Sequence, residues 1–165
     1  MKAILLLGSN LGNRIQYLQN AIELLEKNKI KKRKQSSVYE SEAIGYESSN
    51  PYLNLAIEIE FFMPPLELLD TCLRVETILG RERTPSIRYT DRPIDIDIIL
   101  IEENSIQTKR LTVPHPRMAE RKFCLLPVAE IAPNIKVPSQ QKTTKELLDI
   151  LHSNPEKVVK TNVKI

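Results

Sequence analysis

Residues 52–62 alternate almost without fault: Leu53, Leu55, Ile57, Ile59 and Phe61 are apolar, and Tyr52, Asn54, Ala56, Glu58 and Glu60 stand between them. Successive side chains of a strand leave on opposite faces, so a period of two over this length specifies a long strand with one face in a core. The chain must therefore build a sheet and cover at least one side of it.

The neighbouring segments supply the cover. Residues 3–7 are an apolar run closed by Gly8-Ser9-Asn10, a buried strand and its turn. Asn13 caps a helix, with Gln16 three residues on as its capping-box partner, and Ile15, Leu18, Ile22 and Leu25 give it one core-facing stripe. A basic strand then runs to Tyr39, and a loop through Gly45, Ser48, Ser49 and Pro51 leads into the long strand. Pro64-Pro65 opens a second helix that buries Leu68, Cys72, Val75 and Leu79, with Gly80 at its C-terminal end. Residues 81–91 have no period and read as a charged loop. Residues 94–101 are the next strand, with Asp95, Asp97, Ile99 and Ile101 on one face and Ile94, Ile96, Ile98 and Leu100 on the other. Beyond Pro114 and Pro116 a short helical piece is expected over 118–122. Thr143 to Glu146 forms a capping box before the last helix, and the tail after Ser153 reads as a final edge strand. The order β-α-β-β-α-β with extra C-terminal elements predicts an α+β fold in α/β/α layers around a ferredoxin-like core. One domain is expected over 1–165, its core over about 1–152 and a C-terminal tail over 153–165.

Composition narrows the function. No run of 18 apolar residues occurs, and the apolar stretch near Met1 is too short for a signal-peptide core, so a cytoplasmic protein without a membrane partner is expected. Cys72, Cys124, His115 and His152 have no zinc-ligand spacing, and the two cysteines read as buried reduced thiols. The net charge of +3 is mild but uneven: basic residues gather at 29–34, at 81–92 and at 109–122. Such clusters suit nucleic acid or a polyphosphate, and composition does not choose.

Asp95-Ile96-Asp97 is the strongest chemical signal. Two carboxylates at i and i+2 of a strand share a face, with Cα atoms about 7 Å apart, and can converge on a hard cation such as Mg²⁺. The alternative is an acidic strand end paired with Arg92. Arg81, Arg83, Arg88 and Arg92 fall within twelve residues of one another, just before the pair. Guanidinium forks suit the spread oxygens of a transferring phosphoryl group, while a solvated loop paired through Glu82 and Asp91 is the plainer reading. Residues 8–13 join strand to helix but lack the phosphate-loop lysine, which favours a structural turn. Tyr52 and Asn54 share a strand face and could stack on and hydrogen-bond a flat heterocycle; Phe123 is open to the same use or to plain packing.

Taken together, GSNLGN at 8–13, YLN at 52–54, GRER at 80–83, RPIDIDIIL at 92–100 and RLTVPHPRM at 110–118 resemble the 6-hydroxymethyl-7,8-dihydropterin pyrophosphokinase family over nearly the whole chain. The resemblance implies that ATP, as co-substrate, gives its β,γ-pyrophosphoryl group to the pterin hydroxymethyl oxygen, leaving AMP. By the same match Asp95 and Asp97 would hold two Mg²⁺ ions, and Arg81 and Arg92 would join them as catalytic residues. Ser41, Ala43, Ile44, Tyr52, Asn54 and Phe123 would bind the pterin. Arg81, Arg83, Arg88, Arg92, Ile98, Arg110, Thr112, His115 and Arg121 would bind ATP. The partners implied are these two small molecules, acting on a monomer without nucleic acid. The chain departs from the family pattern at Tyr89, where tryptophan is frequent, at Glu42, where proline is common, and at Leu73, where a polar side chain is expected near the adenine.

Two rival classes share some of these residues. A nucleic-acid-binding module would use the 29–34 run, which lacks interleaved aromatics. A two-metal phosphoesterase would use Asp95 and Asp97 without a pterin.

Overall fold

The computed structural model describes residues 1–85 and 89–165. In chain order the elements are β1 (Lys2–Ser9), α1 (Arg14–Lys27), β2 (Lys31–Gln35), β3 (Tyr39–Ser41), β4 (Tyr52–Glu60), α2 (Pro65–Ile78) and β5 (Asp95–Ile101). They are followed by β6 (Ile106–Gln107), β7 (Thr112–Val113), α3 (Lys122–Ile131), β8 (Lys136–Val137), β9 (Lys142–Thr143), α4 (Thr144–Ile150) and β10 (Val158–Lys160). The main sheet is antiparallel in the order β10-β3-β4-β1-β5, with β2 also paired to β4. Leu53, Leu55, Ile57 and Ile59 of β4 face Leu18, Ile22 and Leu25 of α1 and Leu68, Cys72 and Val75 of α2. Ala56 on the other face of β4 joins Cys124, Leu125 and Val128 of α3 and Leu147 of α4. The α+β, α/β/α architecture expected from the strand pattern is the one observed, and β10 closes the β3 edge as the tail pattern suggested. Cys72 and Cys124 are free thiols buried in opposite layers.

Local differences have local causes. Asn13 Oδ1 accepts the Gln16 N–H at 3.1 Å, but the Gln16 amide donates to Asn20 at 2.8 Å instead of returning to the cap, so the box is half made. Ile15 is exposed, and the buried stripe of α1 is Leu18, Ala21, Ile22 and Leu25. The expected basic strand is two strands: Ser36 Oγ accepts the Ala56 N–H at 2.9 Å, a side chain substituting for a ladder partner and ending β2.

The helical piece expected at 118–122 is a 3₁₀ turn at Met118–Glu120 followed by the ten-residue α3. Pro127 inside α3 and apolar residues on all its sides hide the 3.6-residue period. In β5 the pairing to β1 shifts by one residue, Leu5 facing Ile98 and Ile4 facing Leu100, so Ile99 has no partner. This bulge reverses the phase. Ile99 and Leu100 both lie on the α3 side, and Ile101 returns to the α1–α2 side with Ile94, Ile96 and Ile98.

Candidate active site

The site grows from one cross-strand row. Gly8 of β1 is opposite Asn54 of β4 on one side and Asp95 of β5 on the other; in the next row of the same face Leu6 separates Ala56 from Asp97. A Cβ on Gly8 would meet Asn54 Oδ1 at 3.2 Å and the Tyr52 ring at 3.4 Å, so glycine leaves these two side chains their room. Asn54 Nδ2 donates to Ser41 Oγ at 2.8 Å, which orients the amide and uses one of its two N–H donors.

Two hollows meet on this face. One is lined by Ser41, Ile44, Tyr52, Asn54 and Phe123, the other by Arg81, Arg83, Ile98, Arg110, Thr112 and His115. They share Tyr89, Arg92, Asp95, Asp97 and Arg121. Every residue expected at the pterin is thus in the first hollow except Ala43, which lies on shallower depressions outside it. Every described residue expected at ATP is in the second; the expectation for Arg88 lies outside the described residues. The three departures from the family pattern also fall here: Glu42 and Tyr89 line the first hollow and Leu73 the second.

The carboxylates are unequally neutralised. Asp95 is paired with Arg81 at 2.6 Å and Arg92 at 3.5 Å, so the plainer ion-pair reading describes Asp95 in this state. Asp97 has no ion pair among the described residues. Burial, then the charges of Asp95 and Glu76, push its carboxyl up to about 8, against the opposing pull of Arg121 and Arg81. An oxygen-only donor pair, one member of which has no ion pair among the described residues, fits a hard divalent cation that completes its shell with phosphate oxygens and water.

Glu76 is a residue that the sequence reading missed. It is 2% exposed and accepts from Arg81 at 2.8 Å, from Arg83, and from the Ile96 N–H at 2.9 Å. Burial raises its pKa first, with Asp95 adding to the effect. The available signal was a charge beside Val75 on the apolar stripe of α2. His115 is half-buried; its backbone N–H donates to the Ile99 carbonyl at 2.9 Å, and its ring Nδ1 accepts the Arg117 backbone N–H at 3.1 Å. Burial and then Arg121 lower its pKa, favouring a neutral ring whose Nε2 carries the proton. Arg110 pairs with Asp70 at the rim. The Arg121 guanidinium lies 5.6 Å from the Phe123 ring centre, stiffening that wall of the first hollow.

Asp91 was read only as a surface partner for the loop arginines. Its carboxylate instead accepts from Asn10 (2.8 Å), Tyr46 (3.2 Å), Ser48 (2.6 Å) and Asn50 (2.6 Å). Asn10 also exchanges bonds with the Arg92 backbone, accepting its N–H on Oδ1 at 2.8 Å and donating its own N–H to its carbonyl at 3.2 Å. The 8–13 segment is therefore a structural turn, as expected, and it also anchors the arginine loop.

Residues 4–133 match the family model described as 7,8-dihydro-6-hydroxymethylpterin-pyrophosphokinase (HPPK). The chain is 40% identical over 145 residues to a 2-amino-4-hydroxy-6-hydroxymethyldihydropteridine pyrophosphokinase of Bacillus subtilis (strain 168), covering 87% of this chain and 86% of that one. A protein of the same name from Aquifex aeolicus (strain VF5) is 41% identical over 140 residues, 85% of this chain and 86% of the relative. Among solved structures, Plasmodium falciparum HPPK-DHPS with pteroate superposes with a TM-score of 0.73 at 18% identity, over 92% of this chain and 42% of that chain. At that identity the likeness concerns the fold.

Proposed function

The chain belongs to the 7,8-dihydro-6-hydroxymethylpterin-pyrophosphokinase family, and from that premise we propose that the Asp95–Asp97 pair is where its two substrates meet. The family's reaction is the transfer of pyrophosphate from ATP to 6-hydroxymethyl-7,8-dihydropterin, a step of folate biosynthesis, and the chain is an ATP-dependent diphosphotransferase. The nucleic-acid and phosphoesterase alternatives give way to that activity.

The observation that carries the site assignment is the sharing of Arg92, Asp95 and Asp97 between the two hollows. A group held in either one reaches the same carboxylates. Asn54 and Asp95 are two strand spacings apart across Gly8, about 10 Å. A pterin lying along that row would present its ring edge to Asn54 and its hydroxymethyl group to the aspartates. Tyr52 and Phe123 would flank the ring. Arg81, Arg83 and Arg92, with Arg110, Thr112, His115, Ile98 and Arg121 around them, would bind the nucleotide and face the charge that spreads over the transferring phosphates.

In the transfer the hydroxymethyl oxygen bonds to the β-phosphorus, the bond between that phosphorus and the oxygen bridging to the α-phosphate breaks, and AMP leaves. Asp95 and Asp97 would hold Mg²⁺, two ions by the family pattern, which when bound neutralises the triphosphate and acidifies the attacking hydroxyl. The arginine pairs of Asp95 and Glu76 keep the guanidiniums preorganised at the mouth of the nucleotide hollow.

The same reading takes residues 1–165 as one pyrophosphokinase domain that acts as a monomer in the cytoplasm without nucleic acid. Two free buried thiols support a reducing setting. The 29–34 run supports the rest of the reading, because Lys34 pairs with Glu58 and Arg33 with Glu60 on the same sheet. Among the described residues no helix is long and apolar enough to cross a membrane. The test is the Mg²⁺ dependence of AMP formation in the intact chain and in Asp97→Asn. Turnover that persists in the variant, or that ignores chelation of Mg²⁺, would remove the pair from the mechanism.

A further inference from the structure

Asp91 sits outside the reacting groups, yet it gathers more side-chain donors than any role in charge balance requires. Its Oδ1 accepts from Asn10, Tyr46 and Ser48 and its Oδ2 from Asn50, so four side-chain donors converge on one carboxylate. Three of these donors come from the segment between β3 and β4 and the fourth from the end of β1, so one side chain of the arginine loop holds together the rims of the first hollow.

The hydroxyl chain running from that carboxylate into the hollow has a direction. An ionised carboxylate only accepts, so the single Tyr46 hydroxyl proton is directed to Asp91. The Tyr46 oxygen also accepts from Asn10 Nδ2 at 3.0 Å, and it lies 3.0 Å from the Tyr52 hydroxyl. With its own proton used, Tyr46 must be the acceptor in that contact and Tyr52 the donor. The Tyr52 oxygen then has lone pairs, and no proton, to offer a ligand. Tyr46 is also stacked on Tyr89, ring centres 6.4 Å apart and planes within 8°, so the same hub sets two further walls of the hollow.

We propose that Asp91 is a positioning residue for the pterin: through Tyr46 it polarises Tyr52 into a pure acceptor and holds the Tyr46–Tyr89 pair at the pocket. Its effect on the ligand is to fix the Tyr52 ring, one of the two aromatics that would flank the heterocycle, in a single orientation. Arg92 is joined to the device only through its backbone, by Asn10, whose Oδ1 accepts the Arg92 N–H while its Nδ2 donates to Asp91. The larger consequence falls on the pterin side, where Tyr46 and Tyr52 line the first hollow and not the second. This inference rests on the reading of the first hollow as the pterin site.

The experiment compares Asp91→Ala, Asp91→Asn and Tyr46→Phe in the full chain. It reads equilibrium binding of 6-hydroxymethylpterin and of ATP together with kcat, KM and the thermal midpoint. Loss of one charged hydrogen-bond hub should weaken the pterin by about 10-fold while ATP affinity stays within about twofold. Asp91→Asn, which keeps one accepting oxygen, should recover part of the loss. Tyr46→Phe, which keeps the ring and loses the relay, should reproduce the pterin defect with a smaller change in thermal midpoint. Pterin binding by Asp91→Ala within about twofold of the parent, or a parallel loss for pterin and ATP, would overturn the assignment. Asn54→Ala separates the two levels. If it weakens the pterin and Asp91→Ala does not, the role of Asp91 alone fails; if neither has an effect, the pocket reading fails and the inference falls with it.

Discussion

Arg81 Nη1 lies 2.6 Å from Asp95 Oδ1, so a candidate phosphate-binding guanidinium and a candidate cation-binding carboxylate neutralise one another. The same nitrogen reaches Glu76 at 2.8 Å, which ties α2 to the start of β5. Entry of a cation and a triphosphate would then exchange partners within a set of charges already gathered, and little new charge has to be buried.

Asp97→Asn is expected to lower AMP formation by at least about 100-fold at saturating Mg²⁺. The fold should survive, and the thermal midpoint in metal-free buffer should rise, because a carboxylate crowded by burial and by Asp95 and Glu76 has been removed. Turnover assays and thermal scans in chelator check both parts. A fall in the midpoint would mean that the native carboxylate is better compensated than its surroundings imply.

Arg92→Ala should reduce kcat more than it raises the pterin KM. Its guanidinium is 11% exposed beside Asp95, at the boundary of both hollows, where charge moves during the transfer. Steady-state kinetics with each substrate varied gives the answer. An effect confined to KM would restrict the arginine to substrate holding.

Glu76→Ala should destabilise the protein by about 1–3 kcal/mol, the cost of leaving the buried Ile96 N–H and one Arg81 N–H without an acceptor. Urea unfolding measures it, and kcat should fall as well, since Arg81 loses one of its two anchors. Unchanged stability would show that Arg81 relaxes fully onto Asp95.

Glu130→Gln should destabilise modestly, below about 1 kcal/mol because Glu130 is exposed and screened. Burial alone would raise the Glu130 pKa, but hydrogen bonds from Tyr39 (2.6 Å) and Ser37 lower it. A depressed carboxylate contributes stability above the unfolded glutamate range, near about pH 4.3, and loses it as pH falls through the lower folded value. The gap between parent and variant midpoints should therefore narrow from pH 7 to pH 3. A gap independent of pH would exclude an ionised acceptor.

The sheet was legible because Leu53 to Phe61 and Asp95 to Ile98 keep a strict period of two, and the Thr143–Glu146 capping box forms as read. The acidic pair was legible for the same reason: strand geometry alone puts Asp95 and Asp97 on one face. Residues whose partners are distant in sequence were not. Asp91 meets Asn10, 81 positions away, and Ser48, 43 away; no local spacing encodes such a meeting. Glu76 left a trace as a charge on an apolar helix face, whereas α3 left none, being apolar all round with a proline inside.

The unpartnered Ile99 of β5 has a consequence for transplanting this site. Its carbonyl is the acceptor that holds the His115 backbone, so an extra residue in one strand is the mounting point for a loop sixteen positions downstream. A graft that carried Asp95 and Asp97 on a regular strand would keep the acidic pair and lose the histidine that lines the second hollow. The portable unit is the irregular strand, and trimming it to ideal geometry would separate the two halves of the proposed site.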